Sequence, residues 1–290
     1  MNTPIRLGVF AAVLAVVFGV AFGAGRLVGP VAQAEQAAGG PAMDGHAGGD
    51  GSGGGSHDAS PAPGSTPSGP QRHGYAFAGG AYTGGNLSFR ITAADGRAVT
   101  GFDLVHEKPL HLIVVRQDLS GFQHVHPAMD ADGTWRVPVA LPDGGPWRAY
   151  ADFTATGGPA TVLAADLDVP GARRAEPLPA PATTVVVDGY TVRLDVHDGV
   201  TLRVERDGRP VTDLQPYLGA AGHLVAIAQR DLAYLHVHPK EPQTGGPDVG
   251  FAVEGAGEGT HRLYFQFQHA GAVHTAEFTV NGIGGGHAHN

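Results

Sequence analysis

Residues 110–127 read Leu110-His111-Leu112-Ile113-Val114-Val115-Arg116-Gln117-Asp118-Leu119-Ser120-Gly121-Phe122-Gln123-His124-Val125-His126-Pro127. An apolar run is followed by a polar turn and then by a His-x-His-Pro motif. His223-Leu224, Gln229 and His236-Val237-His238-Pro239 repeat this pattern at an offset of 112 residues. Asp95-Gly96-Arg97-Ala98-Val99-Thr100 recurs at the same offset as Asp207-Gly208-Arg209-Pro210-Val211-Thr212. Over 95–127 and 207–239, 12 of 33 positions are identical without a gap, against about two expected from composition. A period this long is a copied domain and not a solenoid unit.

Both copies read as strands. Short β-rich runs such as Leu87–Thr92, Trp147–Ala155, His261–Phe267 and Val273–Val280 are separated by Asp-Gly and Gly-Gly turn signals. Leu263, Phe265 and Phe267 fall on one face of a strand, as period-two alternation requires. The expected architecture is all-β, with two tandem immunoglobulin-like β-sandwich domains over 73–170 and 183–281. A proline-rich connector, 171–182, joins them, and a Gly/His tail, 282–290, follows.

The N-terminal part differs. Leu7–Gly25 is a mostly apolar run of 19 uncharged residues between Arg6 and Arg26. As a helix it would rise about 28 Å, close to the hydrocarbon thickness of a bilayer. Residues 1–34 are therefore expected to form a transmembrane helix that anchors the chain in the cell membrane. Cleavage as a signal peptide after Ala34, at Ala32-Gln33-Ala34, is the alternative. Either way the remainder lies outside the cytoplasm. Residues 35–72, with Gly39-Gly40, Gly53-Gly54-Gly55 and Pro67-Ser68-Gly69-Pro70, have the composition of a disordered linker.

Composition narrows the chemistry. The 290 residues include 16 His and no Cys, which excludes disulfides, thiolate metal sites and thiol nucleophiles. Residues 35–290 carry a net charge of −11 with His neutral, and no Lys/Arg cluster offers a surface for nucleic acid. An acidic, His-rich, Cys-free body favours cations.

The repeated histidines give that bias a place. If 110–116 and 122–126 form a hairpin with an even loop such as Gln117–Ser120, His111 lies opposite His126, and His124 shares their face. An odd loop would send His111 to the other face. The same pairing sets His223 opposite His238, with His236 beside it. The expected metal ligands are therefore His111, His124 and His126 in one copy and His223, His236 and His238 in the other. Three neutral imidazoles with an open position suit Zn²⁺ or Cu²⁺. Met129 follows the first triplet where Glu241 follows the second, so both are additional candidates. His269 and His274, at the last strand turn, are expected to return to the cluster end. His106 could approach the first triplet, although Leu218 replaces it in the second copy. His287 and His289 form a further His-x-His in the tail.

At this histidine stretch the sequence resembles a group of membrane-anchored or secreted bacterial proteins, common in high-GC actinobacteria and often described as heavy-metal-binding. The resemblance covers roughly 75–281. It implies copper or zinc handling, with the two histidine triplets as the matching positions. The better-known heavy-metal-associated domain is a ferredoxin-like fold with a Cys-x-x-Cys loop, and a chain without Cys shares neither. The function expected is an extracytoplasmic, membrane-tethered metal-ion binding protein acting as buffer, chaperone or sensor. A structural or adhesive ectodomain without metal and a His₃ metalloenzyme are the alternatives. The His236-Val237-His238…Glu241 spacing is similar to that of cupin-like oxygenases but one residue short.

Overall fold

The computed structural model describes residues 69–197, 199–240, 245–254 and 257–283. The expected anchor (1–34), nearly all of the linker, Glu241, His287 and His289 lie outside these residues. Among the described residues every regular element is a strand, and no helix is long and apolar enough to cross a membrane.

The first domain contains β1 (Gln71–Arg72), β2 (Tyr75–Thr83), β3 (Asn86–Ala93), β4 (Leu110–Arg116), β5 (Gln123–Val125), β6 (Ala128–Met129), β7 (Thr134–Pro138), β8 (Gly145–Thr154) and β9 (Ala160–Val169). The second contains β10 (Thr184–Val187), β11 (Tyr190–Asp195), β12 (Val200–Arg206), β13 (Arg209–Pro210), β14 (His223–Ala228), β15 (Tyr234–Pro239), β16 (Asp248–Glu254), β17 (Thr260–His269) and β18 (Ala272–Asn281). Four of these, β1, β2, β6 and β13, were not expected as strands. Gln71–Arg72, read as linker, pairs with Tyr75 and Ala76. Tyr75–Thr83 hides its alternation because a register shift between Ala78 and Ala81 absorbs Gly79-Gly80 as a bulge.

In the first domain a sheet ordered β1-β2-β3-β7-β6 faces another ordered β5-β4-β8-β9. Between them lie Leu87, Phe89, Ile91 and Trp135 from one layer and Leu112, Val114, Trp147 and Phe153 from the other. Each large apolar side chain so buried contributes roughly 1.5–3 kcal/mol. The second domain repeats the arrangement, with Val192, Leu202 and Phe251 against Leu224, Phe265, Phe267 and Phe278. Its two layers are joined: β15 pairs with β14 at Leu235 and Tyr234, then crosses to β16 from His236 onward. In the first domain the matching crossover is broken, and β5 and β6 are separate strands flanking His126-Pro127.

The apolar run of β4 is buried throughout, from Leu110 to Arg116. Alternate residues serve different cores. Leu112 and Val114 face inside the first domain, whereas Ile113 and Val115 join Leu119, Tyr150, Ala164, Val225, Ile227 and Tyr264 in a third cluster between the domains. A strand buried on both faces reads as a continuous apolar run, as this one does.

The contact between domains is close to two-fold. Tyr264 donates from Oη to the Leu119 carbonyl at 2.7 Å, and Tyr150 donates to the Leu232 carbonyl at 2.8 Å. Phe122 stacks on Tyr264 with centroids 4.1 Å apart, and Tyr234 lies against Tyr150 at 5.5 Å. The outward, histidine-bearing faces of both copies are thus turned toward each other.

Candidate metal centre

The β4–β5 hairpin has the even-loop register. Leu112 pairs with Val125 and Ile113 with His124. That places His111, His124 and His126 on the face that carries Ile113 and Val115, at the margin of the interdomain cluster. The turn depends on Gly121, whose φ is +66° and where an added Cβ would lie 2.7 Å from the Trp147 ring.

The three rings converge. His111 Nδ1 lies 3.0 Å from His124 Nε2 and 3.2 Å from His126 Nε2. One nitrogen from each ring falls within a group spanning at most 4.8 Å. Three nitrogens bound tetrahedrally at 2.0–2.1 Å would stand about 3.3 Å apart, so this spacing fits a common ion.

The partners of the other nitrogens fix where the lone pairs point. His111 Nε2 lies 2.9 Å from the Val105 carbonyl, which can only accept, so this nitrogen carries the proton and Nδ1 the lone pair. His124 Nδ1 lies 2.7 Å from Gln266 Oε1, an acceptor, so Nε2 of His124 carries its lone pair. The Gln266 amide is oriented in turn by donation from Nε2 to Thr275 Oγ1 at 3.4 Å. Two lone pairs are therefore aimed at each other across 3.0 Å. Such an arrangement is repulsive unless a proton or a metal ion stands between them. Second-sphere groups that fix imidazole tautomers in this way are characteristic of metal sites.

Protonation does not relieve the repulsion at neutral pH. Burial, followed by the charge of His111, lowers His124 to about 3, and the same two causes lower His126 to about 4. His111 is lowered as well, by burial first. All three imidazoles are neutral at pH 7.

His223, of the second domain, lies beside this cluster. Its ring lies 6.3 Å from His111, 6.1 Å from His124 and 5.0 Å from His106. Burial, followed by the charge of His106, lowers it to about 4. The expected register of the second triplet, with His223 opposite His238, does not form, while among the described side chains His111, His124 and His126 make a ligand group. The reason is the course of β15, which leaves β14 after Leu235, so His238 pairs with Ala252 of β16 and not with His223. His236 pairs by its backbone with Glu254. His238 lines the same cavity as His106, His111, His124 and His223.

His106 is part of the assembly, with its ring 6.2 Å from His111. It and Glu107 have positive φ, 47° and 66°, in a tight turn closed by Val105 and Lys108. That turn presents the Val105 carbonyl to His111. The second copy builds the same turn with Leu218 and Gly219, and its Tyr217 carbonyl holds His223 Nε2 at 2.9 Å.

Three candidates are placed elsewhere. Met129, on β6, pairs with Trp135 and packs on the first-domain core. His269 shares the parity of Phe267 and therefore points into the second domain, bonded to Tyr190 Oη at 2.7 Å and Asp213 at 3.2 Å. His274 Nδ1 is held by Asp188 at 2.8 Å, with its ring against Tyr190 and Phe267. Both had been expected near the cluster because the turn returns to that end; it does, but on the opposite face of β17.

Two residues of the site were not anticipated. Gln266 alternates with the core residues Phe265 and Phe267, which marks it as facing outward. Asp152 occupies the equivalent place in the first domain, paired with His111 as Gln266 is with His223. It lines a cavity of about 210 Å³ beside the histidines, where burial raises its carboxyl to about 6. Tyr234 Oη approaches it at 3.5 Å.

A family model described as "Domain of unknown function (DUF8832)" matches residues 76–171 and again 183–283. No curated protein matches the chain. A crystal structure of S. aureus TarS 217-571 aligns at 10% identity over 71% of this chain and 60% of that one, with a TM-score of 0.20. Against the crystal structure of S. aureus TarS the identity is 10%, covering 61% of this chain and 34% of that one, also at 0.20. The N-terminal Ig1-2 module of the Drosophila receptor protein tyrosine phosphatase DLAR aligns at 9% identity over 68% and 88% of the two chains, with a TM-score of 0.18. The chain thus spans less than two thirds of either TarS structure, and scores this low carry no argument about fold or function.

Proposed function

The chain belongs to the DUF8832 family, whose domain it carries twice, and from that premise we propose that it is an extracytoplasmic, membrane-tethered protein that binds Cu²⁺ or Zn²⁺. It acts as a buffer, chaperone or sensor of the ion. The two domains are immunoglobulin-like sandwiches whose contact frames the site. The observation that carries the reading is the pair of lone pairs on His111 Nδ1 and His124 Nε2, aimed at each other across 3.0 Å with His126 Nε2 beside them. A structural ectodomain has no use for a repulsive arrangement of this kind, which a divalent cation turns into an attractive one.

Nitrogen-only ligation suits borderline cations such as Cu²⁺ and Zn²⁺ and is a poor match for Ca²⁺ or Mg²⁺, which take oxygen. Tethering follows from the apolar N-terminal run, and the copper- or zinc-handling role accords with the resemblance at the histidine stretch. The test is titration of the full chain with each metal, beside the variant H111A/H124A/H126A. One tight site lost in the variant supports the proposal, and equal tight binding by both proteins defeats it.

A further inference from the structure

Three imidazoles leave a tetrahedral ion one position short, and this inference rests on the metal-binding reading above. We infer that the second domain supplies the fourth ligand, His223 through Nδ1, so that the bound ion bridges the two domains.

His223 lies on the face of β14 that also carries Val225 and Ile227, both buried between the domains. The packing that buries them brings the ring to the triplet. Its Nε2 is held by the Tyr217 carbonyl at 2.9 Å, as His111 Nε2 is by the Val105 carbonyl. The same backbone device therefore protonates the same nitrogen and leaves Nδ1 as the donor atom in both.

Distance favours this residue. Within the triplet the ring centroids are 4.9–5.2 Å apart, and four imidazoles on a tetrahedral ion require about 5 Å. His223, at 6.1 and 6.3 Å from His124 and His111, needs an approach of about 1 Å, within the reach of a small side-chain rotation. His106 lies edge-on to the His223 ring at 5.0 Å, and 6.2 Å from His111. His238, Lys108 and Asp152 also line the cavity, and the Asp152 carboxylate accepts from Tyr234 Oη at 3.5 Å.

The proposal predicts four nitrogen ligands, with affinity dependent on how the domains pack. The experiment loads the full chain with one equivalent of Cu²⁺ and counts bound imidazoles by pulsed electron paramagnetic resonance, in wild type and H223A. Four falling to three, with affinity reduced at least about 10-fold, is the expected result. An unchanged count and affinity in H223A would overturn the inference while leaving the triplet standing. The wild-type chain gives a second readout that does not depend on the variant folding: Zn²⁺ should shift the ¹⁵N resonance of His223 Nδ1, and no shift overturns the inference. H111A/H124A separates the two readings: if it retains tight binding, the triplet itself is wrong.

Discussion

Gln266 of the second domain holds the ring of His124 of the first, with Nδ1 and Oε1 2.7 Å apart. The contact decides which nitrogen of His124 is free for a metal. Replacing Gln266 with Leu removes the acceptor and lets His124 adopt the other tautomer. Loss of such an outer partner weakens metal binding about 10- to 100-fold. Glu at this position keeps an acceptor oxygen and should restore most of the affinity. Competition titration with a chelator of known Zn²⁺ affinity measures both variants, and equal affinity in Q266L and wild type would remove Gln266 from the site.

The lowered histidines set how the metal-free protein responds to acid. His124 has its folded pKa near 3, against 6.5 for an unperturbed histidine. Between those values only the unfolded chain takes up the proton. Stability is therefore full above pH 6.5 and falls as the pH drops toward 3, by about 1.4 kcal/mol per pH unit from His124 alone. His126 adds to the same trend, discounted because it is only half-buried. Urea denaturation at pH 7, 6, 5 and 4 checks the slope, and a flat profile across that range would contradict the burial assigned to these rings.

Asp152 works in the opposite sense. Burial raises its carboxyl from 3.8 to about 6, so the folded state holds its proton more tightly than the unfolded one does. Its contribution is present below pH 3.8 and lost as the pH rises through 6, which makes the charged side chain a burden at pH 7. Asp152→Asn should stabilise the metal-free protein by about 1–3 kcal/mol at pH 7 and change little at pH 4. Denaturation at the two pH values measures the difference. A loss of stability at pH 7 would show that the carboxylate is needed as it stands.

Much of this architecture is legible in the residues. The His111 and His124 spacing and an even loop are enough to place three imidazoles on one face, because strand parity is strict. The expected pairing of His223 with His238 does not form, for a reason that a copied motif does not carry: past Leu235 the strand β15 leaves β14 and pairs with the next strand, β16. The interface was visible only indirectly. Ile113 and Val115 are apolar on the same face as His111, which a solvent-facing strand would not tolerate, yet nothing in that pattern names the second domain as the cover. Gln266 and Asp152 were missed because each is a single polar residue in an otherwise ordinary strand, and only the packing of one sheet on another brings them to the histidines.

The central claim is that one ion sits among His111, His124 and His126. Crystals of the full chain grown with equimolar Zn²⁺, with data collected on both sides of the zinc absorption edge, locate the ion by its anomalous signal. The account predicts a single strong peak about 2.0–2.1 Å from His111 Nδ1, His124 Nε2 and His126 Nε2. A peak elsewhere, with these three nitrogens left without metal, would contradict it.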